Sequence, residues 1–213
     1  MFHFIRISII ASLIAMTGCA TTYYGTLEKF GVEKRDILVD RVKDARGEQA
    51  EAQETFASAL EEFRALVNVD GGALEQQYDK LNTSYVRSQK QAAEVRERIT
   101  AVNDVGDRLF KEWEKELNLY ESPELRRRSS QQMAATQDDY KSLLAAMNRA
   151  ADKMNPVLEL YQDQVLFLKH NLNARAIYSL EIERAQIEEQ VAALIEEMNA
   201  SIAEADEFIA SMS

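Results

Sequence analysis

Side chains that commonly carry out chemistry in proteins are scarce in this sequence. Cys19 is its only cysteine, and its two histidines are His3 and His170. A zinc site, a thiol nucleophile with a histidine partner and a serine–histidine pair therefore lack the residues that they need. No glycine-rich phosphate loop and no Gly-x-Ser-x-Gly elbow occurs either. We therefore expect a protein without enzymatic activity, without catalytic or metal-binding residues and without a cofactor.

The chemistry that the sequence does favour is lipid attachment at Cys19. Met1 to Arg6 form a weakly basic start, Ile7 to Met16 form an apolar run, and Met16-Thr17-Gly18-Cys19 follows. This order is typical of a signal peptide. The last four residues resemble the lipobox of bacterial lipoproteins, in which the chain is cut before the cysteine and the cysteine is acylated. The alternative is an ordinary signal peptide with an incidental cysteine.

The lipobox divides the chain and predicts its location. Residues 1–18 would be the signal peptide, residues 19–31 the lipidated cysteine with a tether, and residues 32–213 a helical domain. The apolar run is about half as long as a membrane-spanning helix. In lipoproteins of Gram-negative bacteria, Ala20 in place of an aspartate implies export to the outer membrane. We expect a mature protein that is lipid-anchored in this membrane, on its periplasmic side.

Acidic residues outnumber basic ones, 36 against 25, and the formal charge is -11. Such a surface repels phosphate backbones unless basic residues are segregated, so nucleic acid is not an expected partner. The most concentrated basic segment is Arg126-Arg127-Arg128. These arginines could contact anionic lipids or a protein partner. The alternative is that they pair with acids on a neighbouring helix.

Acidic side chains at helical spacing are further candidates for ion binding. Asp36, Asp40 and Asp44 could hold a divalent cation, but they alternate with basic residues, as on a solvated helix face. Glu159 and Asp163 interrupt an apolar run. They either face water or form a ligand or proton site.

Long helices must position all of these residues, because the sequence contains only 7 glycines and 2 prolines. Apolar residues recur in alternating steps of four and three, which is the spacing of a left-handed coiled coil. Four such stripes follow one another along the chain. The first stripe consists of Leu38, Val42, Ala45, Gln49, Ala52, Phe56, Ala59, Phe63 and Leu66. The third consists of Met133, Thr136, Tyr140, Leu143, Met147, Ala150, Met154, Val157, Tyr161, Gln164 and Leu168. The fourth consists of Ile177, Leu180, Ile187, Val191, Leu194, Met198, Ala205, Phe208 and Met212.

Chain-breaking residues separate or interrupt these stripes. Asn68 to Gly72 predict a turn after the first helix. Ser122 and Pro123 predict the N-cap and the first residue of the third helix. Pro156 lies inside the third stripe and predicts a kink there, or a break with Asn155 capping a separate final segment.

The predicted fold is all-α: an elongated antiparallel four-helix coiled-coil bundle with up-down-up-down topology. Short turns favour antiparallel neighbours, and a longest helix of about 47 residues gives a rod of about 60 to 75 Å. The stripes could also be shared between chains, so a homo-oligomer is compatible with the same pattern.

Two strings of the sequence are more specific than the heptads. They are Lys34 to Val42, preceded by Tyr23-Tyr24, and Asp163 to Ala176. Both resemble the bacterial proteins grouped as domain of unknown function (DUF) 2959, over nearly the whole mature chain. This resemblance implies a helical, often lipobox-bearing envelope protein, and it assigns no catalytic residues.

An anchor and a long helical body without a recognisable catalytic site favour a scaffold. We expect a non-enzymatic, lipid-anchored interaction module that presents helix faces or its distal end to an envelope protein. One alternative is a helical protein that binds or remodels a membrane surface, and its acidic charge counts against it. Another is a holdase-like periplasmic chaperone that uses clefts between helices.

Overall fold

The computed structural model describes residues 34–67, 74–171 and 174–212. The predicted signal peptide, the lipidated Cys19, the tether and the turn at Asn68 to Gly72 lie outside these residues. The described chain consists of four helices, which confirms the all-α prediction. They are α1 (Lys34–Val67), α2 (Leu74–Leu117), α3 (Pro123–His170) and α4 (Ala174–Met212).

The four helices pack in a ring, in which each helix contacts the one before it and the one after it. α1 packs against α2 and α4, and α3 packs against the same two helices from the opposite side. Cross-helix partners show that neighbours are antiparallel. On α1, Arg46 pairs with Asp206 and Arg64 pairs with Glu188, so residue numbers rise along α1 as they fall along α4. The predicted four-helix bundle is therefore confirmed.

Heptad positions form the core of the bundle. All nine residues of the predicted α1 stripe are buried, including the three alanines Ala45, Ala52 and Ala59. Small side chains at these positions let neighbouring helices approach closely, while Phe56 and Phe63 fill the layers between them. Each large apolar side chain that is fully buried contributes about 1.5–3 kcal/mol. The core, rather than surface pairing, therefore holds the rod together.

The start of α3 follows from its sequence. The hydroxyl of Ser122 accepts a hydrogen bond from the backbone N–H of Leu125, and Pro123 occupies the first helical turn, as predicted. α3 then continues through Pro156 to His170 as one helix. The predicted break with Asn155 as a cap does not form, whereas the kink at Pro156 stays a prediction.

The bundle has two unlike ends. At the proximal end, α1 begins, α4 ends and the segment between Leu117 and Pro123 joins α2 to α3. Lys34, the first residue of α1, forms an ion pair with Glu112 of α2. α2 continues for five residues beyond Glu112, so the α2–α3 connection projects past the start of α1. The opposite end, where α3 turns into α4, is the distal end.

Candidate functional site

Exposed large apolar residues concentrate at the two ends of the rod. Among the described residues, the sides of the bundle expose only Val86 from this class. Leu119, Tyr120 and Leu125 lie at the proximal end. The remaining members lie at the distal end, and they are Leu166, Phe167, Tyr178 and Ile182. A concentration of this kind marks surfaces that interact with a partner or a membrane.

The distal surface consists of Leu166, Phe167, Tyr178 and Ile182. The first two lie within the last two turns of α3, and the other two lie within about 12 Å of the start of α4 at 1.5 Å per residue. Tyr178 is 71% exposed and Ile182 is 68% exposed. These side chains fall outside the heptad stripes, so the core does not require them to be apolar.

The aromatic segment at the end of α2 divides into a packed part and an exposed part. Leu117 is buried, and the half-buried Trp113 donates a hydrogen bond from Nε1 to Ser129 Oγ at 2.8 Å, which ties α2 to α3. Leu119 and Tyr120, only a few residues later, are exposed. The packed part closes the end of the bundle, while the exposed part is available for contacts outside it.

The predicted arginine cluster lies beside these exposed residues. Arg127 and Arg128 both pair with Glu124 on their own helix, and Arg126 donates to the side-chain oxygen of Asn118 at 3.1 Å. The predicted alternative, pairing with acids on a neighbouring helix, does not occur among these contacts. An open cavity of about 390 Å³ lies at this surface. It is lined by Tyr120, Glu121, Pro123, Arg126, Arg127 and Ser130.

The acidic candidates are separated from one another or paired with bases. Asp40 pairs with Lys43 and Asp44 pairs with Arg41, each at 3.4 Å, on the outer face of α1. Glu159 and Asp163 are exposed on α3, so they face water. Within residues 34–67, 74–171 and 174–212, no group of three or more His, Cys, Asp or Glu residues is placed to hold a metal ion.

A groove between α2 and α3 contains a second cavity, of about 430 Å³. Phe110, Tyr140 and Leu144 line its floor, and charged residues such as Asp107 and Lys141 line its rim. The Tyr140 ring packs on Phe110 with centroids 5.3 Å apart, and burial raises the pKa of its hydroxyl. The hydroxyl donates to the backbone carbonyl of Val102 at 3.3 Å. Tyr140 therefore contributes to packing within the bundle.

A buried polar contact in the bundle was not predicted from the sequence. Gln49 and Ser201 are both fully buried, although only Gln49 was placed in a stripe. Ser201 falls between Met198 and Ala205 at the heptad spacing of the α4 stripe. That spacing is the sequence signal from which the burial of Ser201 could have been predicted.

None of the described helices is both long enough and apolar enough to cross a membrane. The predicted lipid anchor at Cys19 lies outside the described residues. The arginine cluster and most of the exposed large apolar residues lie at the two ends of the described rod.

Comparison with protein families adds one finding. The family model described as "Protein of unknown function (DUF2959)" matches residues 23–212. The chain belongs to the DUF2959 family. No curated protein and no solved structure matches this DUF2959 protein.

The match to the DUF2959 family covers all four helices and both strings that carried the resemblance. It begins four residues after Cys19, so it does not include the lipobox. Membership therefore extends over the whole described bundle and leaves the domain boundaries and lipidation as predictions. The family description names no activity, so any role of the two ends must be argued from their own chemistry.

Proposed function

We propose that this DUF2959 protein is a non-enzymatic scaffold that is anchored through lipid on Cys19 and binds an envelope protein at its distal surface. One observation carries the proposal: four large apolar side chains are exposed at the end of the rod opposite the start of α1. Cys19 precedes α1 in the sequence, so its lipid would tether the proximal end of the rod to the membrane. The distal surface faces away from it.

The bundle is long enough to hold the distal surface far from the anchor. α2 has 44 residues and spans about 66 Å from one end to the other. A rod that stands on its anchor would present the distal surface far beyond the lipid head groups, at a height where a periplasmic or peptidoglycan-associated protein can reach it. Two aromatic and two aliphatic side chains, including Phe167 and Tyr178, match the composition of protein-binding surfaces.

The sides of the rod give less support to the alternative functions. A holdase needs apolar surface for unfolded chains, but the described sides expose only Val86 from the large apolar class. A protein that lies flat on an anionic membrane needs a basic side. Here exposed bases such as Lys43 and Lys141 are paired with aspartates on the same helix. The separation of exposed apolar residues to the ends therefore favours the scaffold.

Photo-cross-linking in living cells tests the distal surface directly. The photoreactive amino acid p-benzoylphenylalanine would replace Tyr178 in one lipidated full-length variant and Val86 in the other. Both positions are exposed, so neither replacement disturbs the core. We expect a reproducible cross-link to one envelope protein from position 178 and not from position 86. Equal patterns at both positions would argue against a distal binding surface.

Substitutions test the distal surface separately from the anchor. Phe167→Ser with Ile182→Ser should abolish capture of the partner identified from position 178, while Val86→Ser should retain it. The anchor is tested by mass spectrometry of the purified mature protein, whose N-terminal peptide should contain acylated Cys19. A mature N-terminus without acyl chains would refute the anchor, whatever the cross-links show.

A further inference from the structure

We infer that the proximal tip, defined as residues 118–128, binds the anionic head groups of the same membrane that holds the lipid on Cys19. The inference rests on the proposed lipid anchor and adds a second, non-covalent membrane contact to it. Its ligand is the phosphate of an anionic phospholipid at a bilayer surface. The tip would thereby determine how the rod stands on the membrane.

The position of α1 brings the tip close to the anchor. Lys34 contacts Glu112 of α2, only six residues before the tip begins. Cys19 precedes Lys34 by fifteen residues, which span at most about 50 Å even when fully extended. A surface tethered within such a distance experiences an effective lipid concentration in roughly the millimolar range. Weak individual contacts are then sufficient for binding.

The arginines of the tip can donate hydrogen bonds to phosphate groups. Each guanidinium has five N–H donors. Among the described residues, Arg126 uses one of them on Asn118, and Arg127 and Arg128 each use one on Glu124. Residues Arg127 and Arg128 keep 66% and 71% of their side-chain surface exposed. Several donors of each group therefore remain directed to solvent, where a lipid phosphate can accept them.

The location of the cluster argues for a ligand outside the bundle. Positive side chains near a helix N-terminus oppose the helix dipole, so three arginines in the first two turns of α3 weaken that helix slightly. Within the described part of the chain, their side-chain hydrogen bonds and ion pairs stay within residues 118–128 and tie no other part of the bundle together. A partner with negative charge would compensate for this cost.

Apolar side chains accompany the arginines, as is common at membrane interfaces. Leu119, Tyr120 and Leu125 are exposed within the tip. A tyrosine ring is stable at the level of lipid head groups, where its apolar body and polar hydroxyl both find suitable surroundings. The open cavity between Tyr120, Pro123 and the first two arginines offers a concave surface for one head group.

The tip is locally basic although the chain as a whole is acidic. The tip contains three arginines and two acids, Glu121 and Glu124, whereas the whole chain has an excess of acids, 36 against 25. Charges more than about 8–10 Å from the bilayer are largely screened at physiological ionic strength. An upright rod keeps its acidic body beyond that distance. A rod lying flat would bring the acidic body against the membrane.

Fluorescence in vesicles tests the contact with the lipidated full-length protein. Cys19 is the only native cysteine and is acylated in the proposal, so Tyr120→Cys provides a unique thiol for an environment-sensitive dye. An aromatic dye at this position takes the place of the tyrosine ring, and all three arginines are retained. Tyr178→Cys provides the matched distal probe. The vesicles contain phosphatidylethanolamine and phosphatidylglycerol, with a quencher attached to lipid head groups. We expect quenching of the probe at position 120 and little quenching at position 178.

Charge variants identify the cause of the quenching. Arg126→Ser, Arg127→Ser and Arg128→Ser together should abolish quenching at position 120, since each arginine lost weakens contact with an anionic surface about five-fold. The control replaces Lys90, Lys141 and Lys153 with serine, which changes the net charge equally on the exposed sides of the rod. It should leave the quenching unchanged.

Flotation of the same vesicles separates this inference from the proposed anchor. Failure of the protein to float refutes the anchor. Flotation with an unquenched probe at position 120, or equal quenching at positions 120 and 178, refutes the tip contact while the anchor stands. A probe at position 120 that is shielded from water but not quenched by lipid also refutes it, because residues 20–33 or a second copy of the chain would then cover the tip.

Discussion

Ser201 on α4 donates a hydrogen bond to Gln49 on α1, with 2.8 Å between Ser201 Oγ and Gln49 Oε1. Both side chains are fully buried in a core that is otherwise mainly apolar. The other end of the glutamine, Nε2, lies 3.5 Å from the backbone carbonyl of Met147 on α3. One glutamine thus connects three helices. It favours the one axial alignment in which all of these partners meet.

This contact predicts strong coupling between the two residues. Ser201→Ala removes the donor and leaves the glutamine oxygen buried without its partner, which should destabilise the fold by about 1–3 kcal/mol. Gln49→Leu together with Ser201→Ala removes both polar groups and should cost less than the sum of the single changes. Urea unfolding of the two single variants and the double variant measures the coupling. Additive effects would contradict a specific pair.

Alanine should have opposite effects on stability at Gly47 and Gly106, the two glycines within the described helices. A Cβ at Gly106 would overlap with the ring of Tyr140, whereas a Cβ at Gly47 would meet nothing within 4 Å. Gly47→Ala should therefore stabilise the fold by about 0.5–1 kcal/mol through helix propensity. Gly106→Ala should destabilise it by at least about 1–3 kcal/mol, because a packed core cannot easily take extra atoms. Thermal unfolding compares the two variants.

Two buried tyrosines predict another contrast. The hydroxyl of Tyr140 donates to Val102, whereas the hydroxyl of Tyr161 is buried without a hydrogen-bond partner among the described residues. Tyr161→Phe removes an unsatisfied polar group and should be neutral or stabilising by up to about 1 kcal/mol. Tyr140→Phe should cost about 0.5–1 kcal/mol. A loss of stability in Tyr161→Phe as large as that in Tyr140→Phe would indicate that the Tyr161 hydroxyl has a partner after all.

The same tyrosines predict unfolding at alkaline pH. Burial raises the pKa of both Tyr140 and Tyr161 above the ordinary value of 10.0, so the folded protein keeps them protonated after the unfolded chain has begun to ionise. The free energy of unfolding is therefore unaffected by these tyrosines below pH 10. Above pH 10 it falls by up to about 1.4 kcal/mol per pH unit for each tyrosine, because only the unfolded chain loses the proton. Urea midpoints measured across this range should fall less steeply for Tyr161→Phe than for the wild type.

Much of the fold could be predicted because helix faces are encoded locally. Leu38, Phe56 and Phe63 were placed in the core by their spacing, and all are buried. Ser122 and Pro123 fixed the start of α3, since a cap and a proline act within one turn. Pro156 was harder to interpret. A proline breaks one backbone hydrogen bond, but packing on both sides of it, at Met154 and Val157, maintains the helix.

The candidate surfaces were predicted less completely. The sequence identified the arginine cluster, but it did not separate the packed Trp113 from the exposed Leu119. Nothing in the heptad pattern indicated that Phe167 and Tyr178 would form part of one end. These residues lie outside the stripes. Their common location at one end follows from the antiparallel packing of α3 and α4.

The sequence by itself determined the helices, their buried faces, the cap of α3 and the motif at Cys19, because each depends on residues within a few turns of one another. Only the tertiary structure decided that Gln49 meets Ser201, that Lys34 starts α1 beside Glu112, and that exposed apolar residues collect at the two ends. A heptad pattern specifies the face that a helix buries. It does not specify how far each helix extends past its neighbours, which depends on the alignment of all four helices together.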